Sequence, residues 1–283
     1  MEHSEDSCRF TVDYAKCSGC GECAADCVAE IIEMRDGKPE IPPDKRGDGL
    51  ACQHCLAVCP SGAVSVSGVN LAGSLPLGVT DFAPGALELL VRGRRSVRRF
   101  EQRPIPENVI RELLDAAAHA PTGVNAMRRR FTVIADPCVM GRFRETTMDA
   151  ILAAEKRGTI PERWDWLPDS AREWRKSGKD EVFRNSPHLL VASCHQDAPC
   201  PVPDGLIAMS YFELLAQSRG IGTVWGGIPH ALISVIAPEL RRPLSLPDDH
   251  VVVYAMMFGF PAVRYFRTAR KAAEDVHFVN IPE

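Results

Sequence analysis

Residues 17–27 read CSGCGECAADC, and residues 52–60 read CQHCLAVCP. The first stretch spaces four cysteines as C-x2-C-x2-C-x3-C, and the second repeats the last three of them with the same spacing. A shift of 32 residues superimposes three cysteines of one stretch on three of the other: Cys20 on Cys52, Cys23 on Cys55 and Cys27 on Cys59. Cys17 has no counterpart, because Gly49 stands at the matching position. We interpret the two stretches as an internal repeat of one small unit.

The cysteine spacing favours iron–sulfur binding over the two alternatives. Structural zinc typically takes pairs of cysteines separated by a loop, whereas four thiolates within eleven residues can wrap a cuboidal cluster from one tight turn. A disulfide framework requires secretion. The first residues, MEHSEDSC, contain neither a basic n-region nor an apolar h-region, so we expect no secretory signal and a cytoplasmic protein.

Residues 8–68 resemble the bacterial-type 4Fe-4S ferredoxins, in which the last cysteine of each motif binds the cluster of the other motif. The resemblance implies a first cluster held by Cys17, Cys20, Cys23 and Cys59. It leaves a second set of Cys27, Cys52 and Cys55 without a fourth cysteine. Three outcomes stay open for this set: a 3Fe-4S cluster, a 4Fe-4S cluster completed by Asp48, Cys8 or solvent hydroxide, or an empty repeat. We expect one or two clusters, the second oxygen-sensitive or low in iron.

Charge and hydropathy exclude two classes of partner. Residues 1–60 carry twelve acidic and six basic side chains, and the whole chain has a net charge of −4, which argues against a nucleic-acid binder that neutralises phosphates. The longest apolar run, residues 251–263, is interrupted by Gly259 and Pro261 and is too short to cross a bilayer. We therefore expect neither a nucleic-acid nor a membrane partner.

The remaining chain divides into a linker and a larger domain. Residues 69–85 are rich in glycine and proline and lack a sustained period, so we predict a ferredoxin-like domain over 1–68, a linker over 69–85 and an α+β domain over 86–283. Helices are predicted over 86–91, 106–120, 139–156, 205–219 (with Asp204 as N-cap) and 230–237, and strands over 131–135, 189–193 and 251–258. No G-x-G-x-x-G motif follows a predicted strand, which argues against a Rossmann domain.

The larger domain contains four short motifs whose order along the chain is informative about its family. They are RRSVRRF at 94–100, APTGVN at 120–125, RGIGTVWGG at 219–227 and GFPAVRYFRTARK at 259–271. In order and rough spacing they resemble the FMN-dependent nitroreductase family over residues 86–283. With the cysteine repeats in front, the whole chain resembles a ferredoxin–nitroreductase fusion.

The resemblance implies a set of flavin-binding residues. Those matching the segment on the FMN phosphate and ribityl chain are Arg94, Arg95, Ser96 and Arg98, and the late basic pair Arg270 and Lys271 would close on the same phosphate. Asn125 matches a polar residue beside the flavin. The loop of Trp225, Gly226 and Gly227 would lie near the isoalloxazine, where glycines let backbone N–H groups approach the ring. The resemblance also implies a homodimer with FMN at the subunit interface.

Two stretches depart from simple expectation. Met127, Arg128 and Arg129 follow Asn125 where the family often has Asn-x-Gln-Pro-Trp, so the arginines either add positive charge near the substrate or face solvent on a strand. Residues 159–180 hold three of the four tryptophans, and we interpret them as a surface helical excursion packed on the core, with a lid over the flavin as the alternative. Four of the eight histidines, His119, His188, His230 and His250, show no ligand spacing and are interpreted as structural.

The predicted function is an FMN-dependent oxidoreductase that requires no side-chain nucleophile or general base. Electrons would pass from an external low-potential donor through the clusters to FMN and on to a nitro compound, quinone or activated double bond. One alternative is an NAD(P)H-dependent nitroreductase with an accessory ferredoxin domain. Another is a non-enzymatic electron carrier or redox sensor.

Overall fold

The structure is a computed structural model that describes residues 9–70, 74, 84–269 and 275–280. The chain forms two compact units. One consists of Met1–Asp81 together with Thr122–Met127, and the other of Phe82–Pro121 and Arg128–Glu283. The predicted linker, 69–85, falls largely outside the described residues.

The first unit has an internal structural repeat that matches the repeat of the cysteines. Strand β1 (Phe10–Val12) pairs antiparallel with β4 (Val64–Val66), and β2 (Glu33–Arg35) pairs antiparallel with β3 (Lys38–Glu40). Helix α1 (Glu22–Ala25) contains Cys23, and α2 (His54–Ala57) contains Cys55. The helices are therefore offset by the same 32 residues as the cysteines. A 3-10 helix, Pro43–Asp48, leads into the second motif.

The second unit is built on a four-stranded antiparallel sheet. Its strands are β5 (Arg129–Ile134), β6 (His188–His195), β7 (Gly222–Trp225) and β8 (His250–Gly259), in the order β5-β6-β8-β7. Alternate residues of β6 face opposite sides. Leu189 and Val191 belong to one buried core cluster, and Leu190 and Ala192 belong to the other.

Helices cover both faces of this sheet. Helices α4 (Glu107–Ala117) and α7 (Pro201–Ser218) supply one core cluster, and α5 (Pro137–Arg157) and α6 (Leu167–Ser177) supply the other. Helix α3 (Pro84–Gly93) precedes the arginine motif, and the five-residue α8 (Gly227–Ala231) continues into a π-helical turn, Leu232–Ile236. The predicted α+β fold is confirmed. No helix of the described chain is long and apolar enough to cross a membrane.

The arginine motif lies along the edge of the sheet. Ser96 bridges Thr223 of β7, and the backbone N–H of Val97 donates to the Thr223 carbonyl at 2.8 Å. Gly222 permits this approach, because a Cβ there would lie 2.5 Å from the Val97 side chain. On the other side, the N–H of Ala262 donates to the Arg99 carbonyl at 2.9 Å. The motif is thus held between β7 and the chain that follows β8.

The predicted helix before β7 differs from the structure at its start. Asp204 was expected as an N-cap, and this prediction is wrong: the helix begins at Pro201 with Cys200 as N-cap. Pro201 starts the helix earlier because its fixed φ suits the first turn. Asp204 is instead buried on the helix, 3% exposed.

Candidate functional site

A cavity in the first unit brings four thiols together. Its walls include the predicted first ligand set, Cys17, Cys20, Cys23 and Cys59, although Cys59 belongs to the second motif. The two motifs meet here because β1 and β4, at opposite ends of the unit, are paired in one sheet. Among the residues the structure describes, no group of three or more His, Cys, Asp or Glu is close enough to hold a single metal ion. The thiols surround a cavity, which is the arrangement that a multi-iron cluster requires.

The loop and the sulfur environment fit a cluster in this cavity. Gly19 has φ +73°, and a Cβ there would lie 2.7 Å from the Gly37 carbonyl oxygen, so only glycine lets the thiol loop approach β2 and β3 this closely. Burial raises the pKa of the Cys59 thiol, but hydrogen bonds from the Ser61 hydroxyl and from backbone N–H groups outweigh it, and the net pKa is lowered. The backbone N–H of Ala63 donates to the Cys59 sulfur at 3.3 Å. Such donors stabilise a thiolate ligand.

A second cavity in the same unit holds the remaining thiols. It is lined by Cys27, Cys52 and Cys55, by Gly49, and by apolar residues that include Ile31 and Ile41. Its volume is about 30 Å³, compared with about 10 Å³ for the four-thiol cavity. The cavity with three thiols is therefore not the smaller of the two.

A buried glutamate in the second unit links two of the predicted flavin-binding segments. The Glu213 side chain, on α7, accepts a hydrogen bond from Arg94 Nη1 at 3.2 Å and from Thr223 Oγ1 at 3.1 Å on one oxygen. Its other oxygen accepts from Trp225 Nε1 at 3.1 Å. Sequence reasoning missed Glu213, although an acid in the otherwise apolar stretch YFELLA was a usable signal. The carboxylate joins the arginine motif to the Trp225 loop.

Arg95 lies in a different environment from its neighbour. It lines a cavity of about 420 Å³ together with two arginines of the late basic stretch, Arg264 and Arg267, and with Gly220 and Gly222. Three arginines line this one cavity, and arginine is the residue type that offers a phosphate paired N–H donors. The two late arginines were not among the predicted site residues. The structure thus separates Arg94, paired with Glu213, from Arg95, which faces an arginine-lined cavity.

The other predicted flavin residues are distributed as follows. Ser96 bridges β7, and exposed Arg98 donates to the Ser96 carbonyl at 3.4 Å. Asn125 groups with the first unit, where its amide donates to the Leu50 carbonyl at 3.1 Å. Gly226 and Gly227 follow β7, and a Cβ on Gly226 would lie 2.7 Å from the Met257 sulfur. Arg270 and Lys271 lie outside the described residues.

Arg129 is tied to the backbone at the end of a helix. It is partly buried and donates to the Ala120 carbonyl at 2.8 Å and to the Ala118 carbonyl. These carbonyls end helix α4, so the guanidinium caps that helix. Arg128 is half-buried and donates to the Asp197 carbonyl at 3.5 Å. Both guanidinium groups are therefore bonded to backbone carbonyls of the second unit.

The tryptophan-rich stretch packs on the core. Trp164 and Trp174 lie against the core cluster that contains α5, while Trp166 is 37% exposed. This packing agrees with the interpretation of residues 159–180 as a helical excursion. Two of the histidines are likewise tied into the fold: buried His188 accepts the Ile105 N–H at 2.9 Å, and His230 stacks on Tyr254 with ring centroids 4.7 Å apart.

One unit of the chain has a thiol-lined cavity formed by paired cysteine motifs, and the other has a helix-covered antiparallel sheet and an arginine-lined cavity. These are the features expected of an iron–sulfur oxidoreductase. Residues 91–260 match the nitroreductase family, and residues 16–64 match a 4Fe-4S dicluster domain. The first match covers more than half of the chain, so the chain belongs to the nitroreductase family. The predicted combination of this family with an N-terminal iron–sulfur domain is confirmed.

Individual relatives agree with this assignment. The chain is 33% identical over 216 residues to the nitroreductase NfnB of Mycolicibacterium smegmatis, covering 66% of this chain and 88% of that protein. It is 24% identical over 195 residues to an NADH dehydrogenase of Thermus thermophilus, covering 65% and 90%. A nitroreductase with bound FMN from Bacteroides fragilis shares the fold, with a TM-score of 0.57 at 21% identity over 69% of this chain and 98% of that one.

Replacing Glu213 by glutamine is expected to lower the free energy of unfolding by about 1–3 kcal/mol, because Arg94 loses its carboxylate partner in a buried site. Glu112→Gln is the matched control, since Glu112 pairs with Arg219 but is 53% exposed, and we expect a change below about 0.5 kcal/mol there. Urea unfolding followed by tryptophan fluorescence measures both. Equal effects of the two substitutions would contradict the assigned role of Glu213.

Proposed function

We propose that this protein carries electrons from a low-potential donor through iron–sulfur clusters to FMN, and from there to a small organic acceptor such as a nitro compound, a quinone or an activated double bond. The observation that carries the proposal is the four-thiol cavity on the same chain as a nitroreductase-family domain. Clusters transfer single electrons, whereas these acceptors take electron pairs. A bound flavin supplies the link, since it accepts electrons singly and delivers them in pairs or as hydride.

The residues of the second unit fit FMN at two places. The cavity of Arg95, Arg264 and Arg267 provides guanidinium donors for the phosphate. At the Trp225 loop, half-buried Gly227 has no side chain between its backbone and a planar ring, and the indole of Trp225 is held in place by Glu213. Gly226 is buried and its N–H already donates to the Ala255 carbonyl at 2.8 Å, so it supports the loop rather than the ring. In this proposal Arg94 positions the loop through Glu213 rather than binding the phosphate.

We also propose that the protein is a homodimer with FMN at the subunit interface. Apolar side chains are exposed on α3 and α7, two helices that contact each other: Leu87 and Leu89 are 60% and 64% exposed, and Tyr211 is 42% exposed. Exposed apolar patches of this kind mark association surfaces. Light scattering of the purified full chain tests the proposal, and a monomer at micromolar concentration would refute it.

Anaerobic stopped-flow reduction tests the electron path. The full chain, loaded with clusters and FMN, is mixed with reduced ferredoxin, NADH or NADPH, and cluster and flavin absorbance are followed separately. We expect cluster reduction to precede flavin reduction with ferredoxin as the donor. Fast flavin reduction by NADPH with unchanged clusters would favour the second candidate, an NAD(P)H-dependent nitroreductase, which the similarity to a protein named NADH dehydrogenase also supports.

A screen of acceptors under the same conditions separates an enzyme from an electron carrier. Turnover with nitro compounds, quinones or activated double bonds is expected. A stable one-electron-reduced flavin with no turnover on any acceptor would indicate a carrier or sensor instead.

A further inference from the structure

The loop of the second cysteine motif keeps the backbone conformation of the first. Three positions with positive φ recur after 32 residues: Gly19 and Ala51 (73° and 48°), Gly21 and Gln53 (83° and 62°), and Glu30 and Gly62 (52° and 62°). Two of these positions have a non-glycine residue in the second motif, Ala51 and Gln53, and a side chain is disfavoured in this region of φ. Strain of this kind persists where the surrounding structure maintains it and is concentrated at functional sites.

The cavity behind this loop is lined by three thiols, one fewer than the cavity of the first motif. Cys27, Cys52 and Cys55 line it, and Gly49 occupies the wall where the repeat places the counterpart of Cys17. The other described lining residues are apolar, apart from Gln53, which is exposed. Asp48, a conceivable fourth ligand, does not line the cavity, and Cys8 lies outside the described residues. Among the residues described, the fourth corner therefore meets backbone and hydrocarbon.

We propose that the second cavity holds a cluster bound by three cysteines, whose iron at the Gly49 corner is exchangeable. This inference rests on the proposed iron–sulfur function and specifies one of its two sites. An oxidant such as ferricyanide takes one electron, so that [4Fe-4S]2+ becomes [3Fe-4S]+ with release of one Fe2+. Ferrous iron and an electron from dithionite reverse the step. The four-thiolate cluster of the first cavity does not exchange iron in this way, because each of its irons has a cysteine ligand.

The proposal is tested on the full chain purified anaerobically. Treatment with ferricyanide and gel filtration is expected to remove about one iron per chain and to produce the EPR signal of a three-iron cluster. Labelled ferrous iron with dithionite is expected to restore the four-iron form, with the label confined to one site by Mössbauer spectroscopy. This measurement needs no variant and so stands even if a substitution prevents folding.

Gly49→Cys supplies the missing thiolate, and the backbone there is extended, with φ −72° and ψ 128°, a conformation that any residue adopts. We expect this variant to keep its full iron content under ferricyanide. Gly47→Cys is the matched control. Gly47 lies two residues before Gly49, and a Cβ there would meet nothing within 4 Å. We expect the Gly47→Cys variant to exchange iron like the unmodified protein.

The outcomes separate this inference from the proposed function. A chain that binds only about four irons, with a single cluster signal, overturns the inference and leaves the proposed function standing. Iron loss that Gly49→Cys does not prevent also overturns it. A chain that binds no iron at all refutes both.

Discussion

Cys59→Ser is expected to abolish the cluster of the first cavity, even though Cys59 belongs to the second motif. Its sulfur lines the cavity with Cys17, Cys20 and Cys23, more than thirty residues earlier in the chain. We expect the loss of about four irons per chain and of the corresponding reduced-cluster EPR signal. Because cluster binding contributes to folding, the first unit should also become protease-sensitive.

Two substitutions complete this experiment. Cys27→Ser, at the equivalent place of the first motif, is expected to affect the second cavity and spare the first signal. Cys138→Ser is the neutral control, because Cys138 is exposed in the other unit. Retention of the first cluster in Cys59→Ser with its loss in Cys27→Ser would show that each motif serves its own cluster.

Asp180→Asn is expected to lower the free energy of unfolding of the second unit by about 3–5 kcal/mol, the cost of breaking a buried ion pair. The Asp180 side chain is fully buried and accepts from Arg144 Nε at 2.7 Å. It also accepts the backbone N–H groups of Val182, Phe183 and Asn185 at 3.1, 2.8 and 3.0 Å. An asparagine side chain carries no charge, and its NH2 group would replace one of the two oxygens that accept these hydrogen bonds.

Asp149→Asn is the matched control for this prediction. Asp149 also pairs with an arginine, Arg175, but it is 67% exposed, so we expect a change below about 0.5 kcal/mol. All four tryptophans lie in the second unit, and their fluorescence during urea unfolding therefore reports on that unit. The proposed role of Asp180 fails if its substitution shifts the midpoint no more than that of Asp149.

Much of the second unit was predictable from local patterns. The strands at 131–135, 189–193 and 251–258 are present as β5, β6 and β8, and the helices over 106–120 and 139–156 as α4 and α5. The spacing of their apolar residues indicates which face is buried, so these elements can be predicted without tertiary information. Strand β7 was missed, because Gly222–Trp225 is short and is followed by two glycines.

Strand β7 is stabilised by the strands and bridges that it pairs with, and its own composition does not favour a strand. It pairs with β8 along one side, and Ser96 bridges it on the other. Glu213 escaped prediction for the same reason. Its three donors come from residues far from it or on another element, and a single acidic residue in an apolar helix does not reveal which donors it meets.

The linear order of residues determines which chemical groups the protein carries: thiols at fixed intervals, a 32-residue repeat with Gly49 where the first motif has Cys17, and the motifs of a nitroreductase domain. Ligand type and spacing are local properties, so they can be interpreted one segment at a time. Folding settles which groups meet. It places Arg94 on Glu213 but Arg95 beside Arg264 and Arg267, and it turns Arg129 into a helix cap. Such pairings depend on burial and on contacts between distant segments. The sequence around two neighbouring arginines does not show which of them will pair with a buried carboxylate.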